Sequence, residues 1–299
     1  MIAIEPRTNL AIGRHTVSLT NLDKVMYPAL GLTKADVIEY YISISKFILP
    51  YLRKRPFSMV SFVKGVGSEP FFQKQRPQGA PAWLQSVGVP SDSRVIDYCM
   101  VNDLPSLLYM ANRGCLEMHA WFSRYPALDK PDVAVFDIDP SGRTGFKEAC
   151  AAARFIKVIL DSLSLWSIPK TSGKQGIHLF VPIVPTPYEK VHAFLKAVCG
   201  MVAEAHGELF TTERSISKRG DRVYLDAVQM GKGKTLPAPY SLRATPQATV
   251  SAPITWAELE SGSLSPGAFT IQNISDRLAQ TGDLFAPVYT KRQTLNTIL

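Results

Sequence analysis

The chain has no run of about 18 apolar residues, the length that crosses a bilayer as a helix. Met1 to Arg14 carries Glu5, Arg7 and Arg14 where a signal peptide would have a hydrophobic core. Both absences argue against membrane insertion and Sec export and predict a cytoplasmic protein. Cysteine is sparse. Cys99, Cys115, Cys150 and Cys199 are scattered without a Cys-x-x-Cys pair, so buried free thiols are expected in place of a zinc site or a disulfide framework. His192 and His206 lack both i+4 spacing and a cysteine partner, and imply no zinc. Gly233-Lys234-Thr235 is not a P-loop, because valine occupies position 228 where that motif needs glycine and no long helix follows. There is no internal repeat and no low-complexity tract.

What is present is apolar mass and positive charge. With 299 residues and 46% hydrophobic content the chain can bury a sizeable core, as one large domain or two ordinary ones. A formal charge of +8 and a pI near 9.3 point to a polyanionic partner. The cations cluster at Arg53-Lys54-Arg55, at Lys74 with Arg76, from Arg214 to Arg222, and at Lys232 with Lys234. Cations beside exposed rings, as at Lys74, suit backbone phosphates and unstacked bases; solvated faces on separate elements are the bland alternative.

Periodicity predicts a helix opened by Thr33 as N-cap, with Val37, Ile38, Tyr41, Ile44 and Ile48 facing a core. Strands are expected at Phe57 to Val63, Arg94 to Val101, Cys115 to Trp121, Asp132 to Asp139, Ile177 to Ile183 and Arg222 to Val228. Asp103-Leu104-Pro105 starts a short helix to about Asn112, Phe146 to Leu163 is amphipathic, and Thr186-Pro187-Tyr188-Glu189 reads as a capped start of the next helix. Short helices are expected from Thr255 and Ile274. Strands and helices do not alternate strictly, so the fold class is α+β with a mixed central sheet flanked by helices.

Asp137 and Asp139 stand at i and i+2 of a strand apolar on both faces, and Pro140 ends it. Two carboxylates this close repel unless a cation lies between them or one is protonated; hard oxygens suit Mg²⁺ or Mn²⁺, and the alternative is a pair of solvated turn acids. Thr171-Ser172-Gly173-Lys174-Gln175-Gly176-Ile177-His178 is a glycine-bearing turn that lets the backbone approach an anion, with Ser172, Lys174 and His178 as donors. Asp226 is an acid in another apolar strand, either a third metal ligand or a partner of Arg222 or Arg243.

Val135-Phe136-Asp137-Ile138-Asp139-Pro140, Thr171-Ser172 with Gly176-x-His178, Val223-Tyr224-Leu225-Asp226 and Pro239-Tyr240-Ser241-Leu242-Arg243 closely resemble the polymerase domain of bacterial ligase D, the end-joining member of the archaeo-eukaryotic primase superfamily. The likeness begins at Leu19 to Pro28, continues through Gly31-Leu32-Thr33-Lys34, Phe71-Phe72-Gln73-Lys74 and Leu116-Glu117-Met118-His119, and reaches Thr255 to Leu259.

The resemblance implies one primase-polymerase domain over 1–299, with 5′-phosphate and template contacts in about 1–130 and the metal and nucleotide site in about 131–299. Asp137 and Asp139 would hold two divalent ions, Mn²⁺ or Mg²⁺, with Asp226 on the ion that activates the primer 3′-hydroxyl. Ser172, His178 and Arg243 would grip the incoming NTP or dNTP with Lys174 nearby, and His119 would lie near its sugar. Lys24 and Lys34 would receive a 5′-phosphate, and Phe71 and Phe72 would stack on the template beside Lys74. On one strand these rings should point to opposite faces, so one is expected on a base and the other in the core. The implied activity is template-directed addition, ribonucleotides preferred, at gaps and double-strand breaks, with Ku, a DNA ligase in the same or a separate chain, and two copies synapsing two ends as partners.

Two departures stand out. Family members often read Thr-Ser-Gly-Ser-Lys-Gly-Leu-His, whereas the lysine here comes one place earlier, and the charge pattern of Thr211 to Asp221 differs. No ligase-type Lys-x-Asp-Gly occurs in these residues. The rivals are a replicative-type primase, which would make dinucleotides without a primer, and a non-catalytic end-binding module. Lys24 with Lys34 favours repair over the first, and retention of all three acids argues against the second.

Overall fold

The computed structural model describes residues 7–295; residues 1–6, and with them Glu5 of the N-terminal stretch, and 296–299 lie outside it. Strand Val133–Asp139 is the middle of a five-stranded sheet ordered Ile168–Thr171, Ile177–Pro182, Val133–Asp139, Val223–Asp226, Phe210–Thr211. Every pairing is antiparallel except the last, which is parallel, so the sheet is mixed. Its centre is apolar on both faces because both are covered. Phe136 packs edge-on against Phe194 of helix Tyr188–Ala205. On the other face Phe180, which lies opposite Val135, meets Tyr51 and Phe285. Helices Phe146–Ser162 and Tyr188–Ala205 pack on the sheet and on each other.

A second, antiparallel sheet runs Leu236–Pro237, Cys115–Ala120, Phe57–Ser61, Phe71–Gln73. One continuous cluster of buried apolar side chains reaches from Val17 to Val288 and joins the two sheets. The architecture is α+β, as expected. All four cysteines are free and buried. Among the described residues no helix is long and apolar enough to cross a membrane.

Three local expectations are corrected. Thr33 does cap a helix, its amide donating to Asp36 Oδ2 at 2.6 Å, but that helix spans Lys34–Ser43 and a second, Ser45–Leu52, follows after a break at Ile44. The hydroxyls of Ser43 and Ser45 bond back to the carbonyls of Tyr40 and Ile42, competing with the ladder at that point. Thr186 caps nothing. Its hydroxyl donates to Val184 O and its amide to Pro131 O, and Pro187 takes the cap position of helix Tyr188–Ala205. The strand expected to reach Val228 ends at Asp226, whose side chain caps a 3₁₀ turn over Ala227–Gln229.

Candidate active site

Strand register lines up ionisable side chains. Asp137 lies opposite His178 on one neighbour and Asp226 on the other, and His178 lies opposite Lys170. Directly paired residues share a face, so Lys170, His178, Asp137 and Asp226 form a row across four strands, with Asp139 on the same face two residues along. His178 Nε2 is 3.3 Å from Asp137 Oδ1, and Lys170 Nζ is 2.8 Å from His178 Nδ1. Asp226 Oδ1 accepts from the amides of Val228 at 2.9 Å and Gln229 at 3.0 Å and from the Tyr224 hydroxyl at 3.1 Å, which fixes this carboxylate at the strand end.

Burial, reinforced by the neighbouring carboxylates, pushes Asp137 and Asp139 up to about 7. Among the described residues no three or more His, Cys, Asp or Glu side chains already stand as a metal-binding group. The donor chemistry nonetheless fits a divalent cation: Asp137, Asp139 and Asp226 supply hard oxygens, and their mutual repulsion is what such a cation relieves.

The same repulsion yields a stability prediction. In chelator, Asp139→Asn should stabilise the protein at about pH 8 by on the order of 2 kcal/mol and leave it unchanged at about pH 3. An unfolded aspartate titrates near ~3.9 and the folded one near about 7. The wild-type carboxyl therefore costs nothing below the first value, loses stability as pH rises through the window, and costs fully above it. Thermal melts at both pH values check the sign.

The glycine turn is shaped by the protein's own side chains. Gly173 has φ +74°, and a Cβ there would come within 2.6 Å of Arg243 Cγ. At Gly176 a Cβ would meet Ile138 O at 2.6 Å and Asp139 Oδ1 at 2.9 Å. Ser172 Oγ accepts from the amides of Lys174 and Gly176, and Arg243 Nη1 donates to Ser172 O. Lys174 is exposed, and the turn uses its amide.

Glu117, which the spacing of motifs did not single out, ties the second sheet to this centre. Its Oε1 stands 3.2 Å from Arg243 Nε and accepts from the Ala244 amide at 3.1 Å, while Oε2 is 3.1 Å from His119 Nε2. Burial pushes its pKa up, but the His119 hydrogen bond and the Arg243 charge outweigh it and hold Glu117 well below the usual carboxylate range. Lys170 is the other unforeseen member. The signal available for each was a charged residue inside an otherwise apolar strand.

A second site lies apart from the acids. Lys24 and Lys34 line one cavity of about 320 Å³ together with Arg113, and among the described residues no acid lines it. The Lys34 amide donates to Lys24 O at 2.8 Å, which sets the two residues side by side, and Lys34 Nζ donates to Asn112 O at 3.1 Å. Lys34 is also the first residue of its helix, where amide donors favour an anion.

Phe71 and Phe72 are 55% and 69% exposed, so neither anchors the core and that expectation is corrected. Among the described residues their strand is the sheet edge, paired with Phe57–Ser61 alone. Phe72 lies opposite Val60, which lies opposite Glu117, so Phe72 shares the face that carries Glu117 and His119. Lys74 is exposed beside it.

Residues 33–285 match the family model described as LigD, primase-polymerase domain. The bifunctional non-homologous end joining protein LigD of Bacillus subtilis is 37% identical over 279 residues, covering 93% of this chain and 45% of that protein. The multifunctional non-homologous end joining protein LigD of Mycolicibacterium smegmatis is 35% identical over 275 residues, 91% of this chain and 36% of that one. The chain thus spans less than half the length of these relatives. The solved polymerase domain from Mycobacterium tuberculosis ligase D, in complex with DNA, superposes with a TM-score of 0.87 at 31% identity over 93% of this chain and 99% of that one. A family model over most of the length, relatives above 30% identity and a common fold lead to one statement: the chain belongs to the LigD primase-polymerase domain family, whose members are nucleotidyltransferase-type enzymes.

Proposed function

We propose that this chain is a template-directed, primase-type polymerase of bacterial non-homologous end joining in the cytoplasm, adding nucleotides, ribonucleotides in preference, to 3′ ends at gaps and breaks. The observation that carries the reading is the row Asp226, Asp137, His178 with Asp139 beside it, next to an Arg243 held against the Ser172 turn. Asp137, Asp139 and Asp226 would hold the divalent ions. Bound Mn²⁺ or Mg²⁺ would lower the pKa of the primer 3′-hydroxyl and neutralise the leaving pyrophosphate.

The chain's own groups bind and align the reactants. Arg243 presents a planar fork to phosphate oxygens. His178 and the Ser172 hydroxyl donate to the triphosphate, Lys174 adds charge at its edge, and His119 lies at the sugar. Phe71 and Phe72 offer ring faces to the template bases, and Lys74 meets the backbone. In-line placement and electrostatic complementarity supply most of the rate in such transfers. Ku, a DNA ligase and a second copy across the break are the partners that this role requires.

The experiment is nucleotide addition on a one-nucleotide gap, with and without 5′-phosphate, comparing ribose and deoxyribose triphosphates. Template-dependent addition that favours ribose supports the reading, and no addition with either metal refutes it. A 5′-phosphate monoester carries more charge than an internal diester, so Lys24→Ala should weaken binding to phosphorylated gaps by about tenfold and to unphosphorylated gaps hardly at all. Equal loss on both substrates would remove Lys24 from that role.

A further inference from the structure

Lys170 is fully buried in the sheet interior, and nothing in the proposed chemistry uses it. Burying an amine among apolar strands is costly, and a residue kept at that cost has its hydrogen bonds specified. Nζ has two partners, His178 Nδ1 at 2.8 Å and Ser251 Oγ. The Ser251 hydroxyl proton goes to Thr171 O at 2.8 Å, so toward Lys170 this oxygen only accepts. On the far side of the imidazole, Nε2 faces Asp137 Oδ1 at 3.3 Å. A lysine anchored on Ser251 and donating to His178 asks for one form of the ring: lone pair on Nδ1, hydrogen on Nε2. Burial and the Arg243 charge hold Lys170 well below the ordinary lysine pKa. Charged or neutral, Nζ keeps at least two N–H groups, enough for both bonds.

We propose that Lys170 is a positioning residue that fixes His178 as its Nε2–H tautomer and sets the ring plane, so that His178 presents a donor to the triphosphate. Which ring nitrogen of a histidine carries the proton is set by the bond its other nitrogen makes. Lys170 is rooted on the neighbouring strand directly opposite His178, which brings Nζ to the Nδ1 edge of the ring. The proposal rests on the triphosphate-gripping role assigned to His178 above.

The first test is the ¹⁵N-histidine spectrum of the wild-type protein, which needs no variant. The expected result is a protonated Nε2 and an unprotonated Nδ1 at His178; a protonated Nδ1 overturns the proposal. The second is kinetics on a one-nucleotide gap. Lys170→Met, of similar length, should show a mixed tautomer spectrum and a nucleotide KM raised by about tenfold with kcat changed less than about threefold, while affinity for the gapped duplex stays as in wild type. Ser251→Ala, which removes one anchor of Nζ, should raise KM in the same direction and serves if Lys170→Met does not fold. His178→Ala separates the two claims. If it leaves KM unchanged, the reading of the site fails; if it raises KM while Lys170→Met and Ser251→Ala do not, only the positioning role fails.

Discussion

Asp139→Ala should abolish nucleotide addition, lowering kcat/KM by about 10³-fold or more, while the variant still binds a gapped duplex. Asp139 sits where the central strand leaves the sheet, on the face that carries Asp137, with Gly176 of the glycine turn packed against its carboxylate. Removing it leaves two acids where the proposed site uses three, and takes away the carboxylate that faces both the glycine turn and the row. The basic cavity of Lys24, Lys34 and Arg113 is lined by other elements, so DNA affinity should survive. Gap-filling assays paired with a binding titration separate the two effects, and full activity in the variant would remove the assignment.

Glu117→Ala should cost about 3–5 kcal/mol of folding stability, because it strands a buried guanidinium and the ring beside it. Arg243 is itself buried, with Glu117 Oε1 at 3.2 Å from its Nε. The surviving contact from Arg243 to the Ser172 carbonyl cannot neutralise the charge. Denaturant titration reads the loss directly, and a change below about 1 kcal/mol would mean that water takes over the carboxylate's place. The same substitution should also impair catalysis, since it releases His119 and Arg243 together.

Much of this was legible in the sequence, for definite reasons. The acid strand announced itself through continuous apolar residues ended by Pro140, and helix starts with a side-chain acceptor at the cap, Thr33, Asp103 and Thr255, fell where expected. What the one-dimensional pattern does not carry is register. Nothing in the spacing of residues 137, 170, 178 and 226 says that they face one another, yet three antiparallel pairings make them a row. Lys170 and Glu117 went unassigned for that reason: each acquires meaning only through a neighbour on another strand. Phe71 and Phe72 failed differently. Alternation assigns rings to opposite faces but cannot tell that an edge strand has both faces open. The break at Ile44 was hidden because the core-facing positions on either side of it, Tyr41 and Ile48, are buried just as a continuous helix would bury them.

The most direct measurement is anomalous diffraction from crystals soaked in Mn²⁺ with a non-hydrolysable nucleotide. Two peaks within coordination reach of Asp137 and Asp139, one of them also touching Asp226, with the triphosphate against His178 and Arg243, is the predicted outcome. Manganese bound elsewhere, or a nucleotide seated with Asp226 turned away into its own 3₁₀ turn and both ions missing, would contradict it.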